Sequence, residues 1–195
     1  IIGKNILGGP NMPILRKMGK EIGKNHELAQ ELWDSEIHEA RILASFIADE
    51  KKVTEKQIED WVNDFDSWDL CDTVCGSLFD KTEFAYKKAL EFVKNEKEFI
   101  RRAGFVMMAW LAVHDKKESD EIFIKFLSII KKYSNDDRNF VKKAVNWSLR
   151  QIGKRNENLN KKAIETAEEI KKIDSKTARW IASDAIRELK NKKFN

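Results

Sequence analysis

The chain has 195 residues, 42% of them apolar and 36% charged, with a formal net charge of +4. That apolar content excludes a disordered chain, and no run of 18 or more apolar residues is present to form a transmembrane helix. Only 8 glycines and 2 prolines occur, too few for a protein of hairpins and turns, so the composition points to an all-α fold.

Asn5 to Asn11 is a Gly/Pro loop, and Pro13 suits the first turn of a helix running to about Lys24. The start, Ile1-Ile2-Gly3-Lys4, has neither a signal-peptide h-region nor an initiator Met. The expected layout is therefore one cytoplasmic domain over 1–195, lacking a few native N-terminal residues. Helices follow over about 27–33 and 36–48. Thr54-Glu55-Lys56-Gln57 is a capping box that opens a helix to about Phe65. Ser67 is the expected N-cap of a helix over 68–78, with Asp69 in its first turn, where the helix dipole favours negative charge. Cys71 and Cys75 on that helix match no zinc spacing and read as small buried side chains. No metal and no cofactor are expected.

The next helix covers about 83–94. The one over 97–114 is apolar nearly all round, as a helix sandwiched between neighbours would be. Helices over about 118–132, 137–152, 159–173 and 175–190 complete the chain. His26, His38 and His114 are far apart in sequence and read as surface or cap residues. Helix pairs recur every 30 to 40 residues or so, the range of HEAT- and armadillo-type repeats. The expected fold is a curved array, or superhelix, of HEAT-like antiparallel helix pairs, with a plain helical bundle as the alternative.

Three stretches carry chemistry. Trp68 and Asp72 are one turn apart and share a helix face, where an indole and a carboxylate together suit a cation. Residues 131–155 hold eight basic and two acidic side chains, a concentration that suggests an anionic partner, most often nucleic acid. Within it Lys143, Trp147 and Arg150 share a face that suits a phosphate backbone with a base or sugar against the ring. Arg101-Arg102 opens the most apolar helix, where a guanidinium could hold a phosphate or pair with a carboxylate such as Asp69 or Asp72. In a solenoid, equivalent helices line one face, so Trp68, Asp72, Arg102 and Trp147 are expected to be exposed together on a concave surface.

These stretches carry a resemblance. Glu31-Leu32-Trp33 with His38-Glu39-Ala40-Arg41, Trp68-Asp69-x-x-Asp72, Arg101-Arg102-Ala103, and Phe140-Val141-Lys142-Lys143-Ala144-x-x-Trp147-x-Leu149-Arg150 resemble the AlkD-type DNA alkylation repair family. That family comprises bacterial DNA glycosylases built of HEAT-like repeats. The likeness runs from about Leu7 to Leu189. It implies excision of cationic N3- and N7-alkylated purines from double-stranded DNA by a monofunctional enzyme. The family's lesion-site Trp and Asp match Trp68 and Asp72, its DNA-gripping Arg matches Arg102 with Arg101 the second choice, and a further Trp matches Trp147. Lys142, Lys143, Arg150, Lys154 and Arg155 are the expected phosphate contacts. The family also has an N-terminal aromatic residue at the lesion, and here no aromatic precedes Trp33. The expected partner is alkylated duplex DNA bound by a monomer, with no membrane involved. The alternative is a non-catalytic helical scaffold that binds nucleic acid or an acidic protein.

Overall fold

The computed structural model describes residues 4–194, and among these there are eleven α-helices and no strand. Among the described residues no helix is long and apolar enough to cross a membrane. The chain divides into two compact units, 1–88 and 89–195.

The first unit holds α1 (Met12–Ile22), α2 (His26–Asp34), α3 (His38–Ile47), α4 (Glu55–Asn63) and α5 (Trp68–Ser77), then a 3-10 turn, Phe79–Lys81. Helix α3 is its centre, packed on α1, α2 and α5. The close approach of α1 to α3 needs Gly19, where a Cβ would fall 2.8 Å from Cβ of Phe46. Trp33 and Trp61 stack at 3.9 Å with planes 2° apart, and Phe65 packs against both Trp33 and Phe79. Thr54 caps α4 as expected, its side chain accepting from Gln57 N, which is the N-cap half of the expected capping box. Ser67 does precede α5, but its buried hydroxyl makes no cap bond. Cys71 and Cys75 are both buried and unbridged.

Helix α6 (Ala85–Phe92) carries the boundary between the units. The second unit then contains α7 (Glu98–His114), α8 (Asp120–Lys132), α9 (Asn139–Gly153), α10 (Glu157–Lys171) and α11 (Lys176–Lys190). Its hub is α9, which packs on α7, α8, α10 and α11. Phe105, Met107, Met108, Phe123 and Phe126 are fully closed from solvent, each worth roughly 1.5–3 kcal/mol of burial. Helix α7 approaches the preceding segment so closely that a Cβ on Gly104 would lie 2.6 Å from the Val93 amide nitrogen; any larger residue there would push the backbones apart.

Candidate nucleic-acid interface

In the first unit the site residues sit where α5 begins. Trp68 is its first residue, 41% exposed, and Asp72 follows one turn later, half-buried. The entry is anchored from several sides. Phe65 is in the core, the Asp66 carboxylate accepts from the Lys4 amide at 2.7 Å, and Asp69 Oδ2 meets His38 Nε2 at 3.0 Å. His38 is thus a buried ion-pair partner rather than a surface or cap residue. It begins α3, so the pair fixes the two helix starts together. Its hydrogen bond to Asp69 raises the His38 pKa above the ordinary 6.5, against the opposing effect of burial. Burial pushes Asp69 up, but the bond to His38 and its charge outweigh this, and the carboxyl ends below its ordinary value. Two neutral or charged partners this enclosed hold geometry more firmly than an exposed pair would.

The segment before α1 lies against the same helix start. Glu39 is buried, and its carboxylate accepts from the Leu7 and Gly8 amides at 3.2 and 3.1 Å. Gly8 has φ +66°, a conformation that suits glycine. Asn5 O accepts from His38 N at 3.3 Å. A recess of about 290 Å³ opens here, lined by Lys4, His38, Arg41, Asp64 and Asp66 among others, and neither Trp68 nor Asp72 lines it.

In the second unit the basic segment looks different from its sequence. Lys131 pairs with Glu169 at 2.6 Å. Asp136 is enclosed between Arg101 at 2.8 Å and Arg138 at 2.5 Å; burial pushes its carboxyl up, and the two guanidinium groups bring it below the ordinary carboxylate value. Arg150 pairs with Glu188, and with Asp184 at 3.8 Å, while Lys154 reaches Glu188 at 2.7 Å. The same two cations hold the Glu188 carboxyl down despite its burial. Arg155 is a backbone clamp. Its guanidinium donates to the carbonyls of Ala112, Asp115 and Glu118, and it lies 4.3 Å over the Phe123 ring. It thereby ties the last turn of α7, through Ala112, to the loop that follows, through Asp115 and Glu118.

The basic residues therefore separate. Arg102 is expected on an exposed face, but it is buried, 5% exposed, and its Nη1 donates to the Phe140 carbonyl at 2.6 Å. The reason is its place on α7, a helix enclosed along nearly all its length, where a guanidinium must find protein acceptors. Arg101 is committed to Asp136, Glu96 and the Tyr133 ring. Arg150, Lys154 and Arg155 are likewise engaged within the fold. Lys143 is exposed, with no ion-pair partner among the described residues, and Lys142 places its ammonium 5.7 Å from the exposed Trp180 ring. Trp147, one turn after Lys143, is half-buried and packs edge-on to Trp110.

Sequence reasoning missed the His38–Asp69 pair and the acids that neutralise the basic segment. The signal for them was the repeat spacing: His38 and Asp69 are 31 residues apart, Arg150 and Glu188 are 38 apart.

A solved structure with a TM-score of 0.78 and 22% identity covers 96% of this chain and 84% of its own. It is described as one of a new family of proteins related to the HEAT-like repeat DNA glycosylases, with affinity for branched DNA structures. That likeness shows the fold, an all-helical HEAT-like repeat. A designed armadillo repeat protein matches over 94% of this chain and 96% of its own, at 14% identity and a TM-score of 0.38, too weak to argue from. No curated protein matches significantly. The family model of DNA alkylation repair enzymes matches residues 5–189, nearly the full length, and the chain belongs to that family.

Proposed function

We propose that this protein is a monofunctional DNA glycosylase that hydrolyses the N-glycosidic bond of cationic N3- and N7-alkylated purines in duplex DNA. The observation that carries this is the pairing of an exposed Trp68 with Asp72 one turn on, at a helix entry braced by the His38–Asp69 pair. An alkylated N3 or N7 makes the base cationic, so it departs with the bonding electron pair as a neutral molecule and needs no general acid. Positive charge then develops at C1′ of the sugar. The Asp72 carboxylate stabilises that oxocarbenium-like charge and orients the water that attacks C1′. Trp68 holds the deoxyribose and the cationic base by CH–π and cation–π contacts. Lys143, Lys142 and Trp147 contact the DNA, the ammonium groups on phosphates and the indole on a sugar or base.

The test is single-turnover release of methylated purine from duplex DNA by the protein and by its Asp72→Asn variant. Release by the protein and its loss in a folded variant support the reading; no release by either overturns it. A second reading is favoured by one observation, the structural neighbour's affinity for branched DNA: a protein of this fold that binds DNA by its shape. In that case binding to a four-way junction exceeds binding to linear duplex, and Asp72→Asn has no effect on it.

A further inference from the structure

The C-terminal end of α7 presents two rings that the reaction above does not use. We propose that Trp110 and His114 extend Trp147 into a stacking platform for an unpaired nucleobase of DNA. The proposal rests on Trp147 facing nucleic acid, as in the reading above, and adds a ligand class to it.

The three rings form one contiguous cluster, in which Trp110 touches both others and His114 is the exposed member. Trp110 and His114 are one turn apart on α7 and stack at 4.7 Å with planes 24° apart. Trp147, from α9, meets Trp110 edge-on at 5.3 Å and 86°. His114 is exposed and the two indoles are half-buried, whereas the core rings of Phe105, Phe123 and Phe126 are fully closed. The platform is also held in place. Arg155 clamps the carbonyls of Ala112, Asp115 and Glu118, on either side of His114. With the Gln151 amide turned oxygen-inward, that oxygen accepts from Trp147 Nε1 at 2.8 Å and Lys154 Nζ at 3.2 Å. Lys143, exposed and without an ion-pair partner among the described residues, stands one turn before Trp147.

Flat rings beside a free ammonium suit a base with its phosphate. Stacking on aromatic side chains tolerates any base because each has a π-face, while the cation follows the backbone. A paired base inside a duplex hides both faces against its neighbours. The platform therefore favours DNA in which a base is extruded or unpaired, and adds nothing for a perfect duplex.

The experiment compares two probes of one sequence, a perfect duplex and a duplex with a single unpaired purine, the purine being fluorescent 2-aminopurine. The wild type is expected to quench the unpaired base and to bind that probe more tightly. Trp110→Leu should weaken binding of the bulged probe roughly five- to tenfold, in the lower part of the range for loss of one stacking partner, and shift the perfect duplex by less than about twofold. His114→Ala should have a smaller effect of the same kind, and His114→Phe, which keeps a ring, should restore it. Thermal melts accompany each variant. If Trp110→Leu melts early, the exposed His114 pair decides alone. Absence of quenching, or equal effects on both probes, overturns the platform. Perfect-duplex binding that is unchanged by Lys143→Ala and Trp147→Leu overturns the underlying reading instead, so the two failures are distinguishable.

Discussion

The polar contacts between successive helix pairs span different distances in the two units. In the first, they join residues 29 to 33 apart: Trp33 with Asp64, His38 with Asp69, Glu39 with Leu7, Glu55 with Lys87, and Lys88 with Glu59 and Glu55. In the second they join residues 35 to 43 apart: Arg101 with Asp136, Arg150 with Glu188, Arg138 with Glu96, Arg155 with Ala112. The cause is helix length. Helices α1 to α5 have 9 to 11 residues, whereas α7 has 17 and α9 to α11 have 15 each. At 1.5 Å per residue that is about 15 Å against about 23 Å. Longer helices lengthen the repeat, and the repeat sets which side chains can meet. In the first unit the short repeat leaves Trp68 open at a helix start, beside a carboxylate. In the second the long repeat brings acids from α11 onto Arg150 and Lys154, and with Lys131 and Arg138 paired elsewhere, half of the eight basic residues in 131–155 are neutralised.

The largest effect that sharpens this contrast concerns the first unit. Asp72→Asn keeps the shape and removes the charge, so excision should fall by roughly two to three orders of magnitude with little change in DNA affinity, the scale of losing one preorganised electrostatic contact. A structural Asp72 predicts the reverse pattern, with lower melting temperature and weaker binding. Full excision by a well-folded variant would end the catalytic reading.

The second unit should respond in stability. Asp136→Ala leaves Arg101 and Arg138 facing each other without their shared carboxylate, and should cost about 3 kcal/mol in denaturant unfolding. If Arg101 is a DNA grip rather than part of this cluster, the variant instead binds DNA more tightly at unchanged stability.

A smaller effect separates Lys143, a cation without an ion-pair partner among the described residues, from the neutralised ones. Lys143→Ala should lower the slope of log affinity against log salt by about 0.9, and Arg150→Ala should leave it nearly unchanged. Glu188→Gln removes the acid between Arg150 and Lys154 and should steepen the slope. Equal slopes for all three would mean that ion pairing within the fold does not decide which cations reach phosphate.

The smallest effect is on pH dependence. His38 has a folded pKa raised above 6.5 by Asp69, so its contribution is complete below 6.5 and disappears as pH rises through the raised value. Asp69 has a folded pKa lowered from 3.8, so its contribution is present above 3.8 and disappears as pH falls through the lowered value. The melting-temperature difference between wild type and His38→Gln should therefore be widest between those two ordinary values and narrow on the alkaline side, by a few degrees at most. A difference independent of pH would show that His38 acts by packing alone.

Helix positions were legible along the whole chain because they rest on local signals. Thr54 as a cap, Pro13 in a first turn and the closed apolar pattern of 97–114 need no distant partner, and each element appears within a few residues of its expected bounds. The Trp68–Asp72 pair was legible for the same reason, since one helical turn brings them to one face. What a side chain does once it meets another repeat was not. Arg102 looked like a surface cation until α7 enclosed it, Arg155 like a phosphate contact until the end of α7 supplied carbonyls, and His38 like a cap until Asp69 arrived 31 residues later. A charge counted along the chain is a property of residues, whereas a charge presented to a ligand is what remains after pairing. Helical periodicity is therefore determined by the sequence itself, and the free charge on its surfaces is decided only by the tertiary structure.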